Sequence, residues 1–127
     1  MISRLSDRAI GTVMPIDPAP LIGDWINYDR DSGNIVRLML APGDSGLVLR
    51  VFGAPEIDWG ETLAHPFSLT VAGGAAVAFQ AAYDFDFLRT AILGYLNKRL
   101  LVVDAYSTFH DGSGRANYFV RAHFYIP

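Results

Sequence analysis

The chain has 127 residues, which is enough for one domain that buries its own hydrophobic core. Hydrophobic residues make up 51% and charged residues only 18%, so we expect surplus apolar surface to line a cavity or a subunit interface. A net charge of -3 without any cluster of Lys and Arg argues against nucleic acid as a partner. The absence of cysteine excludes disulfides, thiolate zinc sites and cysteine nucleophiles.

The N-terminal 20 residues differ in character from the remainder. Arg4, Asp7 and Arg8 precede an apolar run that Gly11 and Pro15 interrupt, which makes a poor signal peptide. No stretch of the chain approaches the roughly 18 apolar residues that a membrane span requires. We therefore expect a cytoplasmic protein without membrane contact, in which residues 1–20 form an arm or lid and residues 21–127 form the main domain.

Turn signals recur about every ten residues along the main domain. Clusters such as Asp29–Gly33, Pro42–Gly46 and Asp111–Gly114 contain the Gly, Asn and Asp residues that tight hairpin turns favour. Between the turns we predict eight strands, at residues 22–28, 34–41, 46–53, 62–71, 75–84, 86–96, 99–108 and 116–126. The alanine-rich start of the segment Ala75–Tyr95 leaves a helix open as an alternative there.

The connections between these strands are all short, and short connections make consecutive strands antiparallel neighbours. Eight such strands either close into a barrel or stack as a sandwich. Closure leaves no exposed strand edge. We therefore predict an all-β fold, an eight-stranded antiparallel up-and-down β-barrel.

The first strand opens with Gly23-Asp24-Trp25-Ile26-Asn27, a Gly-x-Trp sequence. This opening resembles that of the calycin superfamily, the lipocalins, fatty-acid-binding proteins and avidins, which are barrels that bind small molecules. The resemblance implies that Trp25 closes one end of the barrel beneath a basic side chain of the last strand, here Arg121. The Gly-x-Trp-x-Asn form is especially similar to avidins and implies that Asn27 contacts the ligand. Biotin itself is not expected, because Trp59 is the one other tryptophan of the chain.

Single arginines stand among apolar neighbours in four predicted strands, as Arg37, Arg50, Arg89 and Arg121. Each either lies on the outer, solvated face or points inward, where a guanidinium offers a planar fork of donors to a carboxylate, an enolate or a carbonyl. Arg121 is the first candidate because of its expected contact with Trp25, and Arg37 is the second.

The last strand has two faces of different character. One face carries Phe119, Arg121, His123 and Tyr125, and the other carries Val120, Ala122, Phe124 and Ile126. Ordinary patterning buries the second set, whereas contact between Trp25 and Arg121 requires the first set inside and leaves an apolar outer stripe. We favour the first set inside, since a ligand cavity tolerates mixed polarity.

Histidine and tyrosine supply the remaining candidates. His123 lies in a strongly apolar strand and is either a general acid or base or a structural histidine. The three histidines lack metal-ligand spacing, so we expect neither a metal nor another cofactor. Tyr83 and Tyr106 are expected to give a barrel wall both apolar surface and a hydroxyl group that orients a ligand.

Three functional interpretations stay open. The first is a barrel that holds a largely hydrophobic small molecule in its interior, bound by Trp25, Asn27, Arg37, Tyr83, Tyr106, Arg121 and His123. The second follows from an architectural similarity to small barrels of polyketide biosynthesis. It is a cyclase or isomerase that acts on a polyketide- or terpenoid-like substrate without metal or covalent catalysis. The third is an assembly module, and the apolar exterior predicts a homodimer.

Overall fold

A computed structural model describes residues 15–127, and within them the protein is all-β, as predicted. A short strand β1 (Ile16–Asp17) and a 3-10 turn (Ala19–Leu21) come first. The remaining strands are β2 (Gly23–Asn27), β3 (Ile35–Gly43), β4 (Gly46–Gly53), β5 (Ile57–Leu63), β6 (His65–Ser68), β7 (Gly74–Asp84), β8 (Leu88–Asn97), β9 (Leu100–Phe109) and β10 (Tyr118–Tyr125). In residues 15–127 no helix combines the length and the apolar character that crossing a membrane demands.

The strands form one strongly curled sheet that makes a half-barrel. Strands β7 to β10 are paired antiparallel in chain order, and β10 then pairs with β2, which begins the second run β2–β3–β4–β5. The sheet is mixed, because β1 lies parallel to β7 through the pair Ile16 and Gly74. The helical alternative for Ala75–Tyr95 is wrong, since this segment supplies most of β7 and β8.

The fourth predicted strand, at residues 62–71, is placed too late in the sequence. The structure begins β5 at Ile57, because residues there extend the ladder with β4, pairing Ile57 with Gly53 and Asp58 with Phe52. Trp59, predicted in a loop, therefore lies in β5, where its ring packs edge-on against the ring of Tyr83 at 5.5 Å. Residues 69–71 belong to the turn after β6.

The chain turns at both ends of β8, which begins two residues later than the predicted strand 86–96. Lys98 has a φ of 59° between β8 and β9, and Asp86 has a φ of 71° between β7 and β8. The Asp86 amide donates to Oδ1 of Asp84 at 2.9 Å, an interaction that stabilises the corner. Asp is a residue type that tolerates the left-handed region in tight turns, whereas Lys98 adopts it without such a preference.

One buried cluster fills the concave side of the sheet. Its large members with almost no exposure include Phe79, Phe124, Leu38, Leu49 and Ile92. Leu21 of the 3-10 turn is fully buried with them, and the Trp25 indole donates to its carbonyl at 2.9 Å. Residues 15–20 of the predicted arm thus lead directly into a buried side chain and are fastened to the sheet, whereas residues 1–14 lie outside the described part of the chain.

The side chains of β10 face opposite to our expectation. Phe124 is fully buried, with Val120 and Ala122 partly buried on the same face, whereas Phe119 and Arg121 are exposed. The apolar set faces inward because Phe124 pairs with Leu101, itself fully buried in β9. The predicted stacking of Arg121 on Trp25 is therefore wrong, since Trp25 is buried in the core and Arg121 points outward.

Candidate functional site

A groove of about 630 Å³ lies beside β10, where the chain that follows β2 separates from it. The Tyr28 amide still donates to the His123 carbonyl at 2.8 Å, and beyond this bond the loop diverges from the strand. The groove is lined by residues 120–123 of β10, residues 27–29 and 31–33 of the loop, and Leu100. We call it the β10 groove. Because it brings together Asn27, Arg121 and His123, it collects three of the seven predicted binding residues in one place.

The loop wall of the β10 groove is built by Asn27, which is 3% exposed. Its amide group donates to the Ile35 carbonyl at 2.7 Å, and its Oδ1 accepts from the Asp29 amide at 2.8 Å. The Asp31 amide in turn donates to Oδ1 of Asp29 at 3.0 Å. Side chains that bond to nearby backbone fix such a turn in one conformation. Both ends of the Asn27 carboxamide are thus already engaged by the protein's own backbone.

Arg121 forms a two-point contact with Asp104 across the β9–β10 ladder. The distances are 2.6 Å from Nε to Oδ1 and 2.8 Å from Nη2 to Oδ2. This hydrogen bonding, together with the positive charge, lowers the pKa of Asp104 below its ordinary value. The guanidinium charge is therefore already compensated by a carboxylate. Two further carboxylates, those of Asp29 and Asp31, border the β10 groove and bring negative charge to its edge.

Tyr28 gives the β10 groove an aromatic wall. Its side chain is 71% exposed and stands edge-on to the ring of Tyr125, with ring centroids 5.8 Å apart. On the strand side, Val120, Ala122 and Leu100 add apolar surface. The site consequently has one apolar side and one side rich in hydrogen-bond acceptors, the arrangement that orients an amphipathic molecule.

Arg37 lies outside the β10 groove. Its guanidinium binds Oε1 of Glu56 at 2.9 Å and approaches Asp24 at 3.4 Å, and it stacks over the Phe52 ring at 3.8 Å. It lines a separate groove of about 450 Å³, which shares Asn27 and Asp29 with the first. Through these ion pairs, Arg37 connects the outer face of β3 to Asp24 of β2 and to Glu56 in the turn before β5.

The two candidate tyrosines are on opposite faces of the sheet. Tyr83 is 6% exposed, and its hydroxyl accepts from the Val51 amide at 3.1 Å and donates to the Gly60 carbonyl at 2.8 Å. Burial raises the pKa of Tyr83 to about 12. Tyr106 is 49% exposed on the outer face, against the ring of Phe119 at 5.0 Å. Neither tyrosine therefore lines the β10 groove.

Sequence reasoning missed Asp31 and Ser32 as groove residues and treated the segment Asp29–Gly33 only as a turn. Two carboxylates in five residues next to a strand end were the available signal. Asp, Ser and Gly are also ordinary turn residues, so this pattern does not distinguish a binding site from a plain turn. In the part of the chain that the structure describes, no three His, Asp or Glu side chains converge as metal ligands do.

The fold and the groove define a small all-β protein with a strongly curled sheet and an open site of mixed polarity beside β10. No protein-family model matches the chain, and neither a curated protein nor a solved structure matches it.

Proposed function

We propose that this protein is a small-molecule-binding β-barrel of the calycin type, which holds its ligand in the β10 groove. The observation that carries the proposal is the groove itself, about 630 Å³, in which apolar strand residues face a polar, prefolded turn. Small-molecule sites are typically concave, mostly apolar and equipped with a few placed polar groups.

The proposed barrel closes through β5 and β6, taken as two halves of one bent strand. Strand β5 pairs with β4 and β6 pairs with β7, and Ala64 alone separates them. Two side chains link β5 to β7 directly, because Thr62 donates to the Ala82 carbonyl at 2.9 Å and Tyr83 donates to the Gly60 carbonyl. With β10 paired to β2, these contacts support a ring of eight strands in chain order.

The proposed ligand binds in the groove rather than among the core side chains. Phe79, Phe124 and their buried neighbours pack against each other on the concave side of the sheet. Displacing such side chains would forfeit close contacts that stabilise the fold. The groove offers a largely hydrophobic molecule the surface of Val120 and Ala122 without that cost.

Charge defines the polar end of the proposed ligand. Asp104 already compensates Arg121, and among residues 15–127 no ion pair engages the carboxylates of Asp29 and Asp31 that border the groove. A carboxylate on the ligand would meet repulsion there, whereas hydroxyl and ammonium groups would donate to these oxygens. The ligand class is therefore an amphipathic molecule with a neutral or cationic, donor-rich end.

The test uses three probes of equal chain length: n-octylamine, 1-octanol and octanoate. Each is titrated into the ¹⁵N-labelled protein, and amide shifts are followed at Ser32, Gly33, Ala122 and His123. The amine and the alcohol are expected to shift these amides in a saturable way, and the carboxylate is expected to bind most weakly. Absence of saturable shifts at these amides with all three probes would overturn the proposal.

A matched pair of variants tests the role of charge. Asp31→Asn is expected to weaken octylamine binding about twofold to fivefold, the range for an exposed ion pair, and to leave octanol unchanged. Asp44→Asn, in the turn between β3 and β4, is the control and should change neither affinity. Octanoate binding as tightly as octylamine at the same amides would contradict the charge argument. The cyclase or isomerase interpretation stays a prediction, because no contact in the groove favours it.

A further inference from the structure

We infer that two copies of this chain associate through the outward side of strands β6 to β10, which we call the β6–β10 face. Five large apolar side chains of this face are between 39% and 49% exposed: Phe67, Leu93, Tyr95, Tyr106 and Phe119. Isolated exposed apolar residues are ordinary, but a contiguous set on one surface marks an interaction site. The inference does not rest on the proposed ligand.

The ladder register shows that these side chains are contiguous. Tyr106 is paired with Phe119 on one side and with Ala91 on the other, and Ala91 is paired with Ala82. Leu93 lies two residues after Ala91 on β8, where it is paired with Gln80 of β7 and with Asp104 of β9. Aromatic side chains of this kind dominate the centres of protein interfaces.

The opposite half of the outer surface has a different chemistry. On β3 to β5, Arg37 binds Glu56, and Arg50 binds both Asp58 at 2.6 Å and Glu61 at 3.2 Å. The β6–β10 face carries ion pairs as well, between Arg121 and Asp104 and between Arg89 and Asp84, but beside them it exposes five large apolar side chains. A group of exposed apolar side chains of this size is typical of a surface that meets another protein.

The charges of the β6–β10 face fit a second copy as the partner. Asp104 is bound by Arg121, and Asp84 lies 3.4 Å from Arg89 at the edge of the face. Because these charges occur as opposite pairs, the face can meet its own two-fold copy without like-charge repulsion. A strongly acidic or basic partner would find no complementary field on this surface.

The dimensions of the face also fit a dimer. Strands β7, β8 and β9 have 11, 10 and 10 residues. With β6 of 4 residues and β10 of 8 residues, the five strands cover roughly 700 Å², at about 3.4 Å per residue and about 4.8 Å between strands. This is about the area that each partner buries in a stable interface of standard size. Two shallow depressions, of about 350 Å³ beside Tyr95 and about 530 Å³ beside Tyr106, offer sites for aromatic side chains of the second copy.

The test is the mass of the full chain in solution, measured by sedimentation equilibrium over a range of concentrations. The chain of 13.9 kDa is expected to sediment at twice its mass. Leu93→Glu places a charge at the centre of the face and is expected to weaken association at least a hundredfold. Leu93→Lys reverses the sign of the charge and is expected to give the same loss.

Met39→Glu is the matched control, because Met39 is 36% exposed on β3 and Leu93 is 39% exposed on β8. Met39→Glu should remain dimeric, and near-identical circular dichroism should show that all three variants are folded. A wild-type monomer at 100 µM, on the order of a weak interface, would overturn the inference. A folded Leu93→Glu dimer as stable as the wild type, or association that continues beyond two copies, would also overturn it.

Discussion

Phe79 and Gly94 face each other in the ladder between β7 and β8, and the phenyl ring occupies the space that a side chain at Gly94 would take. A Cβ on residue 94 would overlap Cε1 of Phe79 and lie 2.8 Å from its Cζ. Phe79 is 1% exposed, so its ring has little room to retreat. The glycine therefore leaves room for a large aromatic side chain on the neighbouring strand.

Gly94→Ala is accordingly expected to destabilise the protein by about 1–3 kcal/mol, the usual cost of forcing extra atoms into a packed core. The free energy of unfolding, measured by urea titration, checks this value. Gly33→Ala is the control, because a Cβ at Gly33 meets no atom within 4 Å, and it should change stability by less than about 0.5 kcal/mol. Equal effects of the two substitutions would contradict the overlap.

The Tyr83 hydroxyl connects three strands, and Tyr83→Phe removes that connection. The Val51 amide would lose its acceptor in a buried position, which costs about 1–3 kcal/mol. Thermal unfolding and urea titration are the measurements. Tyr118→Phe, at a tyrosine that is 42% exposed, should be nearly neutral. A Tyr83→Phe protein as stable as the wild type would show that the hydroxyl contributes nothing.

Tyr83 also predicts how stability depends on alkaline pH. Its pKa rises from 10.0 to about 12 on folding, so the unfolded chain loses this proton first. Stability from this group is complete below pH 10 and declines as the pH rises through 12, by about 2–3 kcal/mol in total. The difference in unfolding free energy between wild type and Tyr83→Phe should shrink over this range. A constant difference from pH 8 to pH 12 would refute the assignment.

Asn27 is expected to matter for stability through the loop that it anchors. Asn27→Ala leaves the Ile35 carbonyl and the Asp29 amide without their partner, at an expected cost of about 1–3 kcal/mol. In the NMR spectrum of Asn27→Ala, the amide chemical shifts of residues 28–33 should change. Asn117→Ala, which removes one exposed bond of 3.3 Å to the Phe109 amide, is the control and should cost less than about 0.5 kcal/mol. Equal losses of unfolding free energy in the two variants would argue against an anchoring role of Asn27.

The contact between Arg121 and Asp104 predicts a shift that carboxyl NMR can measure. Arg121→Gln is expected to raise the pKa of Asp104, since the charged hydrogen bond that lowers it is removed. In the wild type, this depressed pKa stabilises the fold above the ordinary Asp value of about 3.9, and the effect disappears as the pH falls through the folded-state value. Arg115→Gln, which affects Asp111, should leave Asp104 unchanged. An unaltered Asp104 pKa in Arg121→Gln would contradict the assignment.

Local chemistry accounts for most of what the sequence predicts correctly. The corner at Asp86 depends on a residue type that accepts positive φ, and that preference is visible in a single sequence. The start of β5 was missed because Asp58, Trp59 and Gly60 resemble a loop in composition. Their pairing with β4 is a contact between segments, which composition does not encode.

The candidate site was harder to predict for the same physical reason. Asn27 and His123 come together only because β2 pairs with β10. These two strands lie at opposite ends of the sequence of the main domain. The inward face of β10 could not be selected from the sequence, because Phe119 and Phe124 give both faces an aromatic character. The burial of Leu101 in the neighbouring strand decides between them.

Arg121 and His123 border the β10 groove and also belong to the outward side of β10, at the margin of the β6–β10 face. A molecule in the groove and a second subunit would therefore compete for the same side chains or order them together. Linkage then requires reciprocity, so a ligand that favours the dimer binds the dimer more tightly by the same factor. Apparent affinity should accordingly vary with the concentration of the protein itself, and its direction of change reports whether the two events cooperate or oppose each other.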